Sequence, residues 1–176
     1  MMLATRHHPA WALGAVCRWG GLRIGEALRL PWARVHEEGH SGTLRVEADP
    51  TIGWEPKGHR VRSVPICRAL GAILAGLRRG HMGHKCRDVV AREHNGVWGR
   101  YESRPQGLVR IMQEAANLPT GCAFHALRKT FATRAATNGV RLEVIQRWLG
   151  HASIVTTRGY IDSTLLEKEG DIEMVG

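Results

Sequence analysis

Four residues between positions 121 and 162 are of types that can work together on one reaction: His125, Arg128, His151 and Tyr160. A phenol can act as a covalent nucleophile, and an imidazole exchanges its proton near neutral pH. A guanidinium offers a rigid fork of donors to phosphate oxygens and keeps its charge throughout a reaction. These types point to chemistry on a phosphate. Taken singly, a Tyr or a His is ordinarily a packed or surface residue; gathered in one compact helical unit, the four carry more weight.

The elements around them follow from spacing. His125 and Arg128 are three residues apart on a helix predicted to run to Asn138, so both side chains leave one face. Asn138-Gly139 is a helix-stop signal, with Gly free to take a positive φ. Leu142, Val144, Ile145, Trp148 and Leu149 recur at helical spacing up to Gly150, which places His151 in a tight turn. Ser153 is a good N-cap for a short helix, Ile154 to Ile161, with Tyr160 near its C-terminal end.

Upstream, Pro9 can open a helix that includes Trp11, Leu13, Ala15, Val16 and Trp19 and breaks at Gly20-Gly21. Arg23 opens a second helix, expected to turn Ile24, Ala27, Leu28 and Leu30 inward before Pro31. Glu26, three residues after Arg23, can orient a neighbouring basic group. On its own the pair would be a helix-surface ion pair worth a few tenths of a kcal/mol, roughly. From Thr43 the period becomes two, with Leu44, Val46 and Ala48 alternating with Arg45 and Glu47 in a strand. A turn-rich stretch then leads to Val61, Val64 and Ile66, interleaved with Arg60, Arg62 and Ser63. The two runs predict a small antiparallel sheet whose hairpin carries Lys57. Leu70, Ile73, Leu74 and Leu77 mark another helix ending at Arg78-Arg79-Gly80, and a further one is expected over 105–118. The class is therefore mainly α with a small antiparallel β-sheet (α+β). His81, His84 and Cys86 are three candidate ligands in six residues, but their spacing fits no standard zinc pattern, so no metal is expected.

The stretch His125-Ala-Leu-Arg128-Lys-Thr-Phe-Ala-Thr, followed by Leu149-Gly-His151-Ala-Ser-Ile-Val-Thr-Thr-Arg-Gly-Tyr160, closely resembles the C-terminal catalytic block of tyrosine recombinases, the phage integrase family. Gly20-Gly-Leu-Arg23-Ile-Gly-Glu26 resembles that family's first-arginine segment. Pro56-Lys57-Gly-His-Arg-Val-Arg-Ser-Val-Pro65 resembles the hairpin bearing its catalytic lysine. The likeness runs from about Trp11 to Asp162 and implies a tyrosine-recombinase catalytic fold. It implies Tyr160 as nucleophile on a DNA phosphate, Arg23 and Arg128 as clamps on its oxygens, and Lys57 as general acid to the leaving 5′ oxygen. His125 would assist proton transfer, and His151 would donate a hydrogen bond to the phosphate. Arg60, Arg62, Lys129, Arg134, Arg147 and Arg158 flank these elements and are expected backbone contacts, which hold DNA without reading its sequence. Lys129 stands where the family often has His. No cofactor is expected, because the phosphotyrosyl bond keeps the energy of the broken strand. The implied partner is double-stranded DNA, engaged by a homo-tetramer on paired sites or by a monomer in isolation. The implied activity is site-specific recombination or integration. Strand relaxation by the same chemistry is a near neighbour, and a catalytically idle DNA-binding remnant is the alternative.

Composition agrees with a polyanionic partner: the formal charge is +9 and the pI near 10.3. At 176 residues the expectation is one catalytic domain over 1–176, with a core of about 9–162 and an acidic tail over 163–176. About ten residues precede the first core helix, so no separate N-terminal DNA-binding domain is expected. Cys17, Cys67, Cys86 and Cys122 are scattered without a C-x-x-C pair, and no long apolar run or signal peptide is present. A cytoplasmic protein that does not enter membranes is the expectation.

Overall fold

The computed structural model describes residues 9–38, 41–79, 87–90, 110, 113 and 124–161. Helix α1, Pro9–Gly20, is its centre: Leu13, Ala15, Val16 and Cys17 have no solvent exposure. It lies against α3 (Arg68–Arg79), which buries Leu70 and Leu74, and against α4 (Phe124–Thr137), which buries Phe124 and Leu127. Full burial of such side chains contributes about 1.5–3 kcal/mol each.

Helix α2, Ile24–Ala27, is a single turn, shorter than the helix expected through Leu30. Two physical causes end it. A residue before proline is pushed out of the α region, and the Leu30 carbonyl accepts from the Val89 amide at 2.8 Å, so this backbone pairs with segment 87–90 instead.

The sheet is three-stranded, antiparallel and ordered β1 (Val35–Glu38), β2 (Ser41–Val46), β3 (Arg62–Pro65), with Val35 opposite Leu44 and Leu44 opposite Val64. β1 is an addition to the two expected strands. In β3 the inward positions are Arg62 and Val64, continued by Ile66, while Val61 is 60% exposed. The phase is thus set by Val64 and Ile66 and leaves Val61 outside.

After α4 the chain turns at Gly139, φ +80, into α5, Leu142–Leu149, which ends on Gly150 at φ +65. Ser153 accepts from the Val155 amide at 3.2 Å and caps α6, Ile154–Arg158. That helix stops short of Tyr160, which follows its Gly159 cap. Ala132, Ile145 and Leu149 form a second small core where α4 meets α5, with Tyr160 packed against it. Of the helix expected over 105–118, only residues 110 and 113 are described, and both are helical; the His81–Cys86 stretch and the tail lie outside the described residues. No helix among the described residues is long and apolar enough to cross a membrane.

Candidate active site

Three segments far apart in sequence meet at one buried carboxylate. Glu26, 3% exposed, closes the first turn of α2 by accepting from the Arg23 amide at 2.7 Å and from Arg23 Nη1 at 3.1 Å. Arg62 reaches it from β3, with Nη2 2.6 Å from Oε2, and Arg128 Nη1 stands 3.8 Å from the same oxygen. Burial alone would raise the Glu26 pKa; the hydrogen bond and charge of Arg62, with Arg23 and Arg128, outweigh it and hold the carboxyl below its usual range.

Arg128 is fully buried, and its donors are largely committed to backbone. Nη1 donates to the Gly21 carbonyl at 2.5 Å and Nη2 to the Leu149 carbonyl. Its Nε has no hydrogen-bond partner among the described residues. Desolvation, with the neighbouring Arg23 charge, lowers its pKa to about 10, so it remains a cation at neutral pH.

Tyr160 stands beside two imidazoles. Its hydroxyl is hydrogen-bonded to His125 Nε2. Its ring meets the His125 ring edge-on at 5.0 Å between centroids, and the His151 ring at 4.6 Å. Desolvation and the cations Arg128, Lys129 and Arg23 lower the His125 pKa, so the imidazole is neutral at pH 7 and Nε2 is able to accept from the phenol. His151 is buried, and burial with Arg128, Arg23 and Arg62 brings its pKa down to about 4. Its Nδ1 is 3.0 Å from Thr157 Oγ1, and its buried Nε2 has no hydrogen-bond partner among the described residues. Among the described residues, Arg128 Nε and His151 Nε2 are thus two buried nitrogens without a hydrogen-bond partner, on side chains that Tyr160 meets by ring contact or by charge.

Five of the six expected site residues are linked by these contacts or fields: Arg23, His125, Arg128, His151 and Tyr160. The sixth, Lys57, is exposed on the β2–β3 turn and makes no hydrogen bond among the described residues. Glu26, expected to orient a neighbouring basic group, is hydrogen-bonded to Arg23 and Arg62. Of the expected DNA contacts, Lys129 lies with Nζ 5.8 Å over the Tyr160 ring. Arg60 and Arg147 line one groove of about 550 Å³ together with Trp148, Gly150 and His151. Arg134 and Arg158 are exposed. Arg62 lines the same groove, yet its side chain is only 6% exposed: Nη2 is paired with Glu26 and Nε donates to the Trp148 carbonyl at 2.8 Å, so these donors are committed within the protein, unlike the solvated position expected for a DNA contact. Two partners were not anticipated: Thr157, which fixes His151, and the Gly21 carbonyl, which holds Arg128. Neither is marked by residue type, because one is a hydroxyl inside a helix and the other is backbone.

The phage integrase family model matches residues 9–166. Tyrosine recombinase XerD of Mycobacterium tuberculosis is 33% identical over 146 residues, covering 80% of this chain and 43% of the relative. Tyrosine recombinase XerC of Mesorhizobium japonicum is 35% identical over 143 residues, covering 80% and 42%. The chain thus spans less than half the length of these relatives. Among solved structures, the XerA recombinase shares the fold with a TM-score of 0.70 at 22% identity, over 99% of this chain and 57% of the other. The catalytic domain of bacteriophage HP1 integrase does so with a TM-score of 0.57 at 22% identity, over 94% and 79%. On the family model and these relatives, the chain belongs to the phage integrase family.

Proposed function

We propose that the chain is the catalytic part of a site-specific DNA recombinase that cuts and rejoins strands through a 3′-phosphotyrosyl bond on Tyr160. The observation that carries this reading is the Tyr160 hydroxyl bonded to a neutral His125, beside the buried cation Arg128. The phenol oxygen attacks phosphorus while its proton passes to His125 Nε2. The bond from phosphorus to the 5′ oxygen breaks, and Lys57 on its turn delivers the proton that oxygen needs. Arg23 and Arg128 offset the charge that builds on the non-bridging oxygens, and a well-placed donor of this kind is worth about 3 kcal/mol. Rejoining is the reverse, with a 5′ hydroxyl as nucleophile, and requires no cofactor.

The partner is double-stranded DNA, and exchange between paired sites calls for a tetramer. Relatives of the same fold support the DNA partner, among them XerH bound to its difH substrate. The test is a duplex from the DNA flanking the gene, nicked beside the cut so that the released fragment diffuses away. The native chain should become covalently attached and Tyr160→Phe should not; a native chain that stays free, or a Phe variant that attaches equally, overturns the reading.

A further inference from the structure

The hairpin between β2 and β3 is long, and its two halves differ. The tip is exposed from Lys57 to Val61. The His59 amide donates to the Pro56 carbonyl at 2.9 Å, with Gly58 at φ +89, which makes Lys57 the second residue of a tight turn. The base is fastened. Asp49, 2% exposed, exchanges backbone hydrogen bonds of 2.7 and 3.0 Å with Trp54, which folds the chain back just before the tip. Its carboxylate accepts from the Thr51 amide at 3.2 Å and from Thr51 Oγ1 at 2.6 Å, and it is ion-paired with Arg87.

Arg87 is itself fixed to the arginine side of the site. The Arg87 carbonyl accepts from the Trp32 amide at 2.9 Å, and the nearby Val89 amide donates to the Leu30 carbonyl at 2.8 Å. Leu30 and Trp32 follow directly on α2, whose turn carries Arg23 and Glu26. A second tie repeats the connection: Arg34 donates to the Glu47 and Ala48 carbonyls at 2.9 and 2.6 Å.

We infer that the Asp49–Arg87 pair is a latch that registers the Lys57 turn against the α2 segment, so that Asp49 and Arg87 are positioning residues for proton delivery by Lys57. An exposed lysine on a free fifteen-residue loop would sample many positions; pinning 49 to 54 leaves only a short tip to sample. The inference rests on the reading of Lys57 as general acid given above.

Two measurements test it. Lys-specific endoprotease should cut after Lys57 several-fold faster in Asp49→Asn and Arg87→Gln than in the native chain, with no DNA present. Both variants should also attach to the nicked duplex about 10- to 100-fold more slowly, the scale of a misplaced catalytic group. A duplex with sulfur in place of the bridging 5′ oxygen expels a leaving group that needs no proton, and on it both should regain the native rate, as should Lys57→Ala. Arg87→Lys, which keeps the ion pair, should stay near native in both assays. Native proteolysis rates in Asp49→Asn and Arg87→Gln, or a slow attachment that sulfur does not restore while it restores Lys57→Ala, overturn the latch. A Lys57→Ala defect that sulfur leaves in place overturns the acid role of Lys57 instead, and the proteolysis result then decides the latch on its own.

Discussion

Arg62 Nη2 and Glu26 Oε2 meet at 2.6 Å across 36 residues of sequence, with both side chains withdrawn from solvent. This contact joins the strand after the Lys57 hairpin to the turn that bears Arg23. Glu26 is also the shared counter-charge of three guanidiniums, those of Arg23, Arg62 and Arg128. Removing one partner of a buried ion cluster leaves the others uncompensated, at a cost of about 3–5 kcal/mol. Glu26→Gln, equal in size, should therefore lower unfolding free energy by about that amount in urea titrations. Arg62→Gln and the double variant complete a cycle whose coupling should exceed about 0.5 kcal/mol. A Glu26→Gln cost below about 1 kcal/mol, the range of an exposed pair, would refute the cluster.

Thr157 Oγ1 lies 3.0 Å from His151 Nδ1, which leaves Nε2, without a hydrogen-bond partner among the described residues, as the nitrogen open to the proposed reaction. With the hydroxyl donating to Nδ1, the neutral ring carries its hydrogen on Nε2 and, on the proposed function, would donate it to a phosphate oxygen. Thr157→Val keeps the shape and loses that hydrogen bond, worth about 1 kcal/mol, so covalent attachment should slow roughly fivefold. Thr157→Ser should retain the native rate. Equal rates for Val and Ser would remove Thr157 from the mechanism.

His151 also makes stability depend on pH. Its pKa falls from 6.5 to about 4 on folding, because burial and the guanidiniums Arg128, Arg23 and Arg62 oppose its charge. Between those values the unfolded chain binds a proton that the native chain does not, so acidification favours unfolding. The contribution is fully present above pH 6.5 and is lost progressively as pH falls toward 4. His125, lowered for the same reason, adds a change of the same sign, whereas the depressed Glu26 carboxyl acts only at more acid pH. The native Tm should therefore drop between pH 7 and 4.5, and His151→Gln should flatten that slope. An unchanged slope in the variant would assign the effect elsewhere.

The parts of this fold legible in the sequence are those where one physical signal acts alone. The apolar spacing of α1, α3 and α5, and the stops at Gly139 and Gly150, needed only helical periodicity and a residue able to take positive φ. Signals that compete were harder. β1, Val-His-Glu-Glu, has one apolar residue in four and is a strand only because β2 pairs with it. Arg62 fell on the wrong side because its charge suggested solvent, yet two-residue steps back from Ile66 and Val64 reach an inward position. In the site, residue types marked the groups with reactive atoms. The backbone carbonyls of Gly21 and Leu149 that hold Arg128 are invisible to such a reading, since every residue has one.

Gly21 illustrates that hidden layer and yields the sharpest packing test. Its φ is +62, where a side chain costs about 1–2 kcal/mol, and its carbonyl takes the Arg128 hydrogen bond. A Cβ there would lie 2.5 Å from Phe131 Cδ1 and 2.8 Å from Cε1, so the ring would have to move. Phe131 is packed at 6.2 Å between ring centroids against Trp148, whose carbonyl receives Arg62, and displacement would be felt by both arginine anchors. With overpacking adding about 1–3 kcal/mol, Gly21→Ala should lower stability by about 2–5 kcal/mol in total and slow covalent attachment. The two costs separate in a second background. In Phe131→Leu the ring is gone, so the stability cost of Gly21→Ala should shrink by at least about 1 kcal/mol, while the backbone share stays. If the cost is the same in both backgrounds, the backbone conformation alone accounts for glycine at this position and the Phe131 contact contributes nothing.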